Sequence, residues 1–283
     1  MSSFEFPDYL EVERERLGKG TPVAVDVIGD MQSVAQHFAE ALYREIESRP
    51  DVTMILPVGP VDQFPLLAAM INARRLDCRR ALIINMDEYL DEYLYGVDRW
   101  VDRAHPLSFR GYMDRLFYDR IAPDIAPPPA HRVFPDPADP GAIAETIERR
   151  GGVDVCYGGI GINGHIAFNE PPEPDEPDDV EEFAARPTRV LTLSRETRTI
   201  NSNTVGGEIS IIPTRAITVG MREILAAERI RLYCNRPWQA AVIRRVLHGP
   251  VSARCPTSLV RNHPDAAVTI ADYVAEPPDI RLR

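Results

Sequence analysis

The sequence predicts an α/β fold in which one doubly wound, mostly parallel sheet carries helices on both faces. Short β-branched apolar runs recur along the chain, and the segments between them have apolar residues at helical spacing. Strands that alternate with helices favour a parallel sheet. The 283 residues show no internal repeat and no long linker, so we expect a single domain over residues 1–283.

The elements are predicted in order along the chain. Residues 23–28 and 52–56 are rich in β-branched residues and are expected to be strands. Between them apolar residues recur at helical spacing after Asp30 or Ser33, either of which can cap the helix. The same alternation predicts helices over 64–75, 108–120, 139–150 and 237–249, and strands over 81–85, 153–157, 216–219, 229–234 and 266–270.

Two segments interrupt this alternation. Residues 171–187 are acidic and proline-rich, a composition unsuited to a core, which indicates an exposed loop or lid. Residues 90–104 follow a predicted strand end and contain Trp100 together with several Asp and Arg residues. For both segments, a solvated surface excursion and a part in closing a site are equally good interpretations.

The composition excludes several classes of protein. Hydrophobic residues make up 44% and charged residues 27%, yet no apolar run approaches the roughly 20 residues that span a bilayer, so we expect no membrane partner. The net charge of −11 is opposite to the basic footprint of a nucleic-acid binder, so a small molecule is the expected partner. The acidic first residues do not form a secretory signal, and we expect a cytoplasmic protein.

Cysteine and lysine usage narrows the chemistry. The cysteines lie far apart without paired spacing, which argues against a metal site and a disulfide scaffold: Cys78, Cys156, Cys234 and Cys255. They are expected to be buried small hydrophobic residues. Lys19 is the only lysine, so Schiff-base chemistry has almost no candidate nucleophile.

The predicted strand ends carry the candidate catalytic groups. In a parallel sheet, ligands bind beyond the carboxyl ends of the strands. Asp87 and Glu88 follow one such end, and a glycine-rich loop with His165 and Glu170 follows another. Carboxylates and an imidazole at one sheet edge are suited to proton transfer. Structural interpretations stay open at this point. Asp87 is then a helix cap, His165 a buried structural histidine, and the glycines a tight turn after the strand. The glycine pattern does not match the dinucleotide-binding fingerprint.

Several motifs occur together and in a recognisable order. They are MDEY at 86–89, GIGINGHIAFNEP at 159–171, TRTINSNT at 197–204, IPTRAITVGMREIL at 212–225, and the pattern S-L-x-x-x-H-P at 258–264. Together they resemble the glucosamine-6-phosphate deaminase/isomerase family, and the resemblance covers most of the chain from about 50 to 275. The GHIAFNEP segment is the most specific of them.

The resemblance implies a modified Rossmann-like fold, a homo-oligomer, no metal or organic cofactor, and an aldose-to-ketose isomerisation coupled to loss of ammonia from C2. By position, Asp87 matches the general base that moves a proton between C2 and C1. His165 matches the histidine that opens the sugar ring, and Glu170 matches the carboxylate that orients this histidine. Asn163 can hold the imidazole ring of His165 by a hydrogen bond. Imidazole is suited to ring opening because it takes and gives a proton near neutral pH.

The sequence departs from the family where the family binds the sugar phosphate. The family has a Thr-Gly-Gly-Thr type loop there, whose amides and hydroxyls hold the anion at a helix N-terminus. Residues 57–62 replace it here, and Pro60 removes an amide donor while Asp62 adds a negative charge. Asn203 stands where the family has an arginine, and Trp238 stands near the position of its lysine.

Two kinds of substrate remain open. The first is a non-phosphorylated or differently decorated amino sugar, and the second is a sugar phosphate held by relocated arginines such as Arg74, Arg236 or those of residues 90–104. Trp100 and Trp238 offer stacking surface for a sugar ring, with a structural role equally open. The predicted substrate-binding residues are Gly59, Glu88, Gly161, Gly164, Asn203 and Trp238.

The leading hypothesis for function is an isomerising deaminase that uses Asp87, His165 and Glu170. A sugar aldose–ketose isomerase without deamination would use the same proton shuttle. A lactonase-like hydrolase is disfavoured because such enzymes lack the NEP ending, which is present at 169–171. A non-catalytic sugar-binding regulator would more often have lost Asp87 or His165, and no DNA-binding segment is visible.

Overall fold

The computed structural model describes residues 5–59, 62–91 and 97–281. Within these ranges the strands are β1 Ala24–Val27, β2 Thr53–Leu56, β3 Leu82–Asn85, β4 Asp87–Asp91, β5 Arg99–Trp100, β6 Arg132–Val133, β7 Val155–Gly158, β8 Arg189–Thr192, β9 Arg215–Thr218, β10 Ile230–Cys234 and β11 Ala266–Ile270. The α-helices are α1 Met31–Ser48, α2 Gln63–Arg74, α3 Phe109–Leu116, α4 Ala142–Arg150, α5 Val180–Ala184, α6 Arg195–Asn201, α7 Met221–Leu225, α8 Gln239–His248 and α9 Asp272–Ala275.

The larger sheet is wholly parallel. Its strands lie in the order β1, β11, β10, β7, β2, β3, β6. The strands β2, β3 and β7 are buried along their whole length, as expected when helices cover both faces of a parallel sheet. The predicted α/β fold with a mostly parallel sheet and helices around it is confirmed.

A second, antiparallel sheet departs from the prediction of one sheet. Its strands lie in the order β5, β4, β9, β8. The residues after β3 that were expected to form a loop instead begin β4, and the predicted strand at 216–219 lies in this small sheet as β9. The pairing of β4 with β9 is long-range, since Asp87 and Thr218 come opposite each other only in the folded chain. Nothing local in the sequence marks such a partnership.

The two irregular segments have different structures. Within 90–104, β5 pairs with β4 at a sheet edge, and residues 92–96 lie outside the described residues. Residues 173–179 are exposed, as predicted for the acidic, proline-rich segment. The helix α5 follows, however, and its Phe183 is buried in the main core. The expectation of an exposed loop is therefore wrong for α5, because a single aromatic side chain anchors it.

Helix α8 carries a buried arginine that joins three parts of the chain. Arg244 has no exposed surface. Its guanidinium donates hydrogen bonds to the carbonyl oxygens of Val12, Ala240 and Ala275 at 2.8, 2.9 and 2.5 Å. The amino-terminal segment, α8 and α9 are thereby tied to one side chain.

Two smaller expectations, the cap of α1 and the burial of the cysteines, are settled by the structure. Asp30, not Ser33, caps α1, and its Oδ1 accepts a hydrogen bond from the Ser33 amide at 2.9 Å. All four cysteines are buried and are not in disulfides. Among the residues described, none of the helices has the length and apolar character that crossing a membrane requires.

Candidate active site

A cavity of about 710 Å³ lies where β2, β3, β7 and β10 end. The residues that directly follow these strands, Pro57, Met86, Gly159 and Asn235, all line it. The position agrees with the rule that ligands bind beyond the carboxyl ends of parallel strands. Because β4 begins at the same edge, the small sheet contributes one wall of the cavity.

Asp87, the first residue of β4, lies on this wall. It is 7% exposed, and its Oδ1 accepts a hydrogen bond from the Thr218 hydroxyl. Burial raises the pKa of Asp87 to about 7. The Thr218 hydrogen bond, the charge of His165 and the Phe168 amide oppose this rise without cancelling it. A carboxyl group whose pKa is near neutrality is suited to take and return a proton.

The glycine-rich loop after β7 brings His165, Asn163 and Glu170 together. The ring nitrogen Nδ1 of His165 lies 2.8 Å from Asn163 Oδ1, and Asn163 Nδ2 donates to Glu170 Oε2 at 2.8 Å. Glu170 Oε2 is 3.6 Å from His165 Nδ1. Because an amide oxygen only accepts hydrogen bonds, this arrangement assigns the proton of the neutral ring to Nδ1. His165 Nε2 is then the nitrogen that can accept a proton from a ligand.

Glu170 is an ionised and well-held carboxylate. Burial alone would raise its pKa, but attraction to His165 and hydrogen bonds from Asn163 and Thr197 outweigh burial and lower the pKa to about 2. Ser194, the N-cap of α6, donates its amide and hydroxyl to this carboxylate at 3.2 and 3.0 Å. Thr197 Oγ1 also lies 3.2 Å from His165 Nδ1. Glu170 therefore fixes the Asn163 amide that in turn orients the imidazole.

Two glycines shape this loop in different ways. A Cβ on Gly161 would lie 2.0 Å from His165 Nε2, so a side chain here would displace the ring. Gly164 has a φ of +93°, and a Cβ there would lie 2.7 Å from Cys255 Sγ. Gly161 lines the cavity, whereas Gly164 does not. Gly164 therefore serves the turn, in place of the ligand contact expected from the sequence.

Glu88 lies behind the cavity and does not line it. Its carboxylate has no exposed surface and accepts hydrogen bonds from the amides of Tyr89, Phe109 and Arg110, the Ser108 hydroxyl and the Arg110 guanidinium, at 2.8–3.2 Å. These donors use the acceptor capacity of a carboxylate in full. Glu88 therefore anchors the start of α3, and the structure does not bring it to a ligand as the sequence suggested.

Gly59, Asn203 and Trp238, which the sequence predicts to contact a substrate, line the cavity. Among the lining residues that the structure describes, Arg236 is the sole arginine or lysine, and its Nη1 lies 3.3 Å from Met31 Sδ. Apolar and aromatic side chains contribute much of the remaining wall: Val58, Leu107, Phe109, Tyr112 and Ile200.

The loop after β2 carries no hydroxyl side chain into the cavity. Pro57 and Gly59 line the cavity, and Pro60 lies outside the described residues. Asp62 is the N-cap of α2, is exposed, and makes no capping hydrogen bond with its side chain. The described part of this loop therefore has none of the side-chain donors that hold a phosphate.

Other arginines considered as replacements lie elsewhere. Arg74 ends α2, and its guanidinium stacks 5.0 Å from the centre of the Tyr43 ring. The described arginines of residues 90–104 line a separate cavity of about 570 Å³. The indole of Trp100 donates to the Pro135 carbonyl at 2.9 Å, which gives this tryptophan a structural role. Of the proposed relocated cations, Arg236 is the one in the site.

Sequence reasoning gave no role to Thr218 or Asn235. Thr218 lies within the run 212–225 that carries the family resemblance, yet its contact with Asp87 depends on long-range pairing. Asn235 is 3% exposed and lines the cavity, and its Nδ2 lacks a hydrogen-bond partner among the described residues. Its position directly after β10 is the same signal that marked Asp87, a polar residue at a strand end.

The described residues contain no group of three or more His, Cys, Asp and Glu side chains placed to hold a metal ion. The fold and the site together define an α/β enzyme whose acid–base groups lie at the carboxyl edge of a parallel sheet.

Comparison with known proteins identifies the family. No family model matches the chain. A glucosamine-6-phosphate deaminase from Cellvibrio japonicus is 32% identical over 259 residues, which cover 89% of this chain and 90% of that protein. The chain belongs to the glucosamine-6-phosphate deaminase family.

Solved structures agree with this assignment. The structure of a monomeric glucosamine-6-phosphate deaminase superposes with a TM-score of 0.76 at 25% identity, covering 89% of this chain and 99% of that one. A 6-phosphogluconolactonase from Thermotoga maritima has a TM-score of 0.58 at 13% identity, covering 88% of this chain and 100% of its own, and shares the fold alone.

Proposed function

We propose that this protein is an isomerising deaminase that converts an amino aldose to the ketose and releases the C2 amine as ammonia. Family membership supports the reaction class. The observation that carries the proposal is the pair of proton-transfer groups in one cavity: Asp87, held by Thr218, and His165, held by Asn163 and Glu170.

The first chemical step is the opening of the sugar ring. His165 accepts the proton of the O1 hydroxyl at Nε2 and returns a proton to the ring oxygen O5, which leaves an open-chain aldehyde. The ionised Glu170 stabilises the imidazolium that forms in between, since the two groups are 3.6 Å apart. Asn163 keeps the imidazole ring of His165 in place while the charge of the imidazole changes.

The second step moves the C2 proton to C1. Asp87 removes the C2 proton while the carbonyl oxygen O1 takes up a proton, which gives an enolamine, and the carboxyl group then returns its proton to C1. The electrons of the enolamine form the C2–N double bond of an iminium, and water hydrolyses the iminium to the ketone and ammonium, which carries away the proton that O1 took up. On a sugar without a C2 amine the same transfer yields the ketose alone, which is the alternative activity.

We also propose that the substrate lacks the 6-phosphate of the family's usual ligand or carries a different group there. The loop after β2 supports this, because its described lining residues have no hydroxyl and Asp62 places a negative charge at the start of α2. The net charge of −11 adds to the repulsion of a dianion.

A turnover screen tests both parts. Glucosamine, glucosamine 6-phosphate and the matching sugars without an amine are incubated with the wild type and with Asp87→Asn, and ammonia and ketose are measured together. We expect equal amounts of ammonia and ketose, with glucosamine turned over at least as efficiently as its phosphate. Ketose formed from the sugars without an amine, with no ammonia released from the amino sugars, would identify a simple isomerase instead.

Two further outcomes would contradict the proposal. Tight sugar binding without turnover would identify a binding protein. A preference for the phosphate of about two orders of magnitude in kcat/KM would overturn the substrate assignment. In that case Arg236→Met, which keeps the length of the side chain without its charge, shows whether Arg236 has taken over the anion.

A further inference from the structure

Thr218 is placed where it can act on the catalytic carboxylate directly. It is the last residue of β9, has no exposed surface, and lies opposite Asp87 in the pairing of β9 with β4. Its hydroxyl oxygen is hydrogen-bonded to Asp87 Oδ1. Sequence position gives no hint of this contact, since the two residues are 131 positions apart.

The direction of that hydrogen bond follows from a second contact. The backbone amide of Phe168 donates to Thr218 Oγ1 at 2.9 Å, so the threonine oxygen acts as an acceptor there. The hydroxyl proton then goes to Asp87 Oδ1, since the other acceptor within reach, the Val219 carbonyl, is 3.4 Å away. Threonine is thus a donor to one side of the site and an acceptor from the other.

The backbone around this contact is held on both sides. The Val219 amide donates to the Met86 carbonyl at 2.9 Å, and Asn169 Nδ2 donates to the Val219 carbonyl at 2.9 Å. The end of β9 therefore joins the residue before Asp87 to the loop that carries His165. The Thr218 hydroxyl is the side-chain part of this junction.

We propose that Thr218 is a positioning residue for the reaction, whose hydroxyl fixes Oδ1 of Asp87 and presents Oδ2 to the substrate. This inference rests on the proposed function, in which Asp87 is the base. A base held through one oxygen has its second oxygen aimed before the substrate arrives, so less conformational freedom is lost on reaching the transition state.

The same hydroxyl affects the protonation of the base. The titratable groups that act on Asp87 electrostatically are His165, which favours its ionised form, and Glu88, which opposes it; Tyr89 and Cys156 also lie within its field. Among the interactions that favour ionisation of Asp87, the Thr218 hydrogen bond is the largest. Removal of the hydroxyl should therefore raise the pKa of Asp87 further above about 7.

The test compares Thr218→Val, which keeps the shape and removes the hydroxyl, with Thr218→Ser, which keeps the hydroxyl. We expect Thr218→Val to lower kcat at neutral pH by about 10- to 100-fold and to leave KM within about threefold of the wild type. The acidic limb of its kcat profile should move to higher pH. Thr218→Ser should restore both kcat and the position of the acidic limb. If Thr218→Val does not fold, Thr218→Ala replaces it in the test.

A second measurement separates failure of this inference from failure of the proposed function. Titration of ¹³C-labelled aspartate carboxyls, with Asp87→Asn to assign the signal, follows Asp87 even if no sugar is turned over. We expect the Asp87 midpoint to rise in Thr218→Val and to return in Thr218→Ser. The role of the hydroxyl would be overturned if Thr218→Val left both the Asp87 titration midpoint and the pH profile of kcat unchanged. It would also be overturned if Thr218→Val and Thr218→Ser lowered kcat equally.

Discussion

The two parts of the cavity differ in how firmly their polar groups are held. Asp87 is hydrogen-bonded to the Thr218 hydroxyl, and His165 is held through the Asn163 amide by the Glu170 carboxylate, which also accepts a hydrogen bond from the Ser194 hydroxyl. Around Gly59 and Trp238, Asn235 Nδ2 lacks a hydrogen-bond partner within the described chain, and Arg236 is the sole arginine or lysine among the described lining residues. Because different loops carry the two parts, a substitution in one part can leave the contacts of the other part unchanged.

The largest expected effect is on the proton-transfer part. Asp87→Asn keeps the shape of the side chain and removes its basicity, so turnover should fall by about 10²-fold or more while sugar binding is largely retained. Steady-state kinetics together with calorimetric binding of the sugar measure the two effects. Near-normal turnover would remove Asp87 from the mechanism.

The next effect concerns the ligand-recognition part. Introducing Asp62→Thr and Asn203→Arg together removes a negative charge and adds a cation, and affinity for glucosamine 6-phosphate should rise by up to about a hundredfold. Affinity for glucosamine should change little, and it serves as the internal control. If both ligands gain equally, the two positions do not distinguish the phosphate.

A smaller effect separates the two steps of the reaction. His165→Gln should reduce turnover of a cyclic substrate about tenfold more than turnover of an acyclic analogue, because the acyclic sugar needs no ring opening. The same variant assayed on both substrates provides its own control. Equal loss on both would count against ring opening by His165.

A last effect is on stability instead of turnover and follows from the buried base. Burial raises the pKa of Asp87 from 3.8 to about 7, so the folded protein binds a proton more tightly than the unfolded chain. This contribution to stability is complete below the unfolded value and is lost as the pH rises through about 7. Asp87→Asn should therefore exceed the wild type in free energy of unfolding at pH 8, by about 3–4 kcal/mol, with a difference below about 1 kcal/mol at pH 4. Denaturant titration at pH 8 and pH 4 measures the difference in free energy of unfolding between the variant and the wild type. The same difference at both pH values would contradict the raised pKa of Asp87 as its cause.

Local patterns predicted the parts of the fold that local patterns control. The strand at 266–270 and the capped helix after Asp30 are where periodicity and capping placed them. The small sheet was missed because β8 is only partly buried and short, and because β4 finds its partner far along the chain. Phe183 was missed because the acidic residues around it dominate the composition of its segment.

The site was predicted through its strand ends and through family resemblance, and these two signals have different limits. They marked Asp87 and His165, which the structure places in one cavity. These two signals wrongly marked Glu88 as a ligand contact. Its neighbour Asp87 lines the cavity, but adjacent side chains of a strand point to opposite faces, so Glu88 points away from the cavity. The single domain, the homo-oligomer and the cytoplasmic location stay predictions.

The buried Arg244 gives the amino-terminal segment an importance that its exposure does not suggest. Truncation beyond Val12 would remove one of the carbonyls that solvate this guanidinium and leave a cation deep in the protein with fewer acceptors. Arg244 lies on α8, the helix that begins beside Trp238 at the cavity. Trimming of the first dozen residues should therefore lower the free energy of unfolding and loosen α8, whose first residue lies at the cavity.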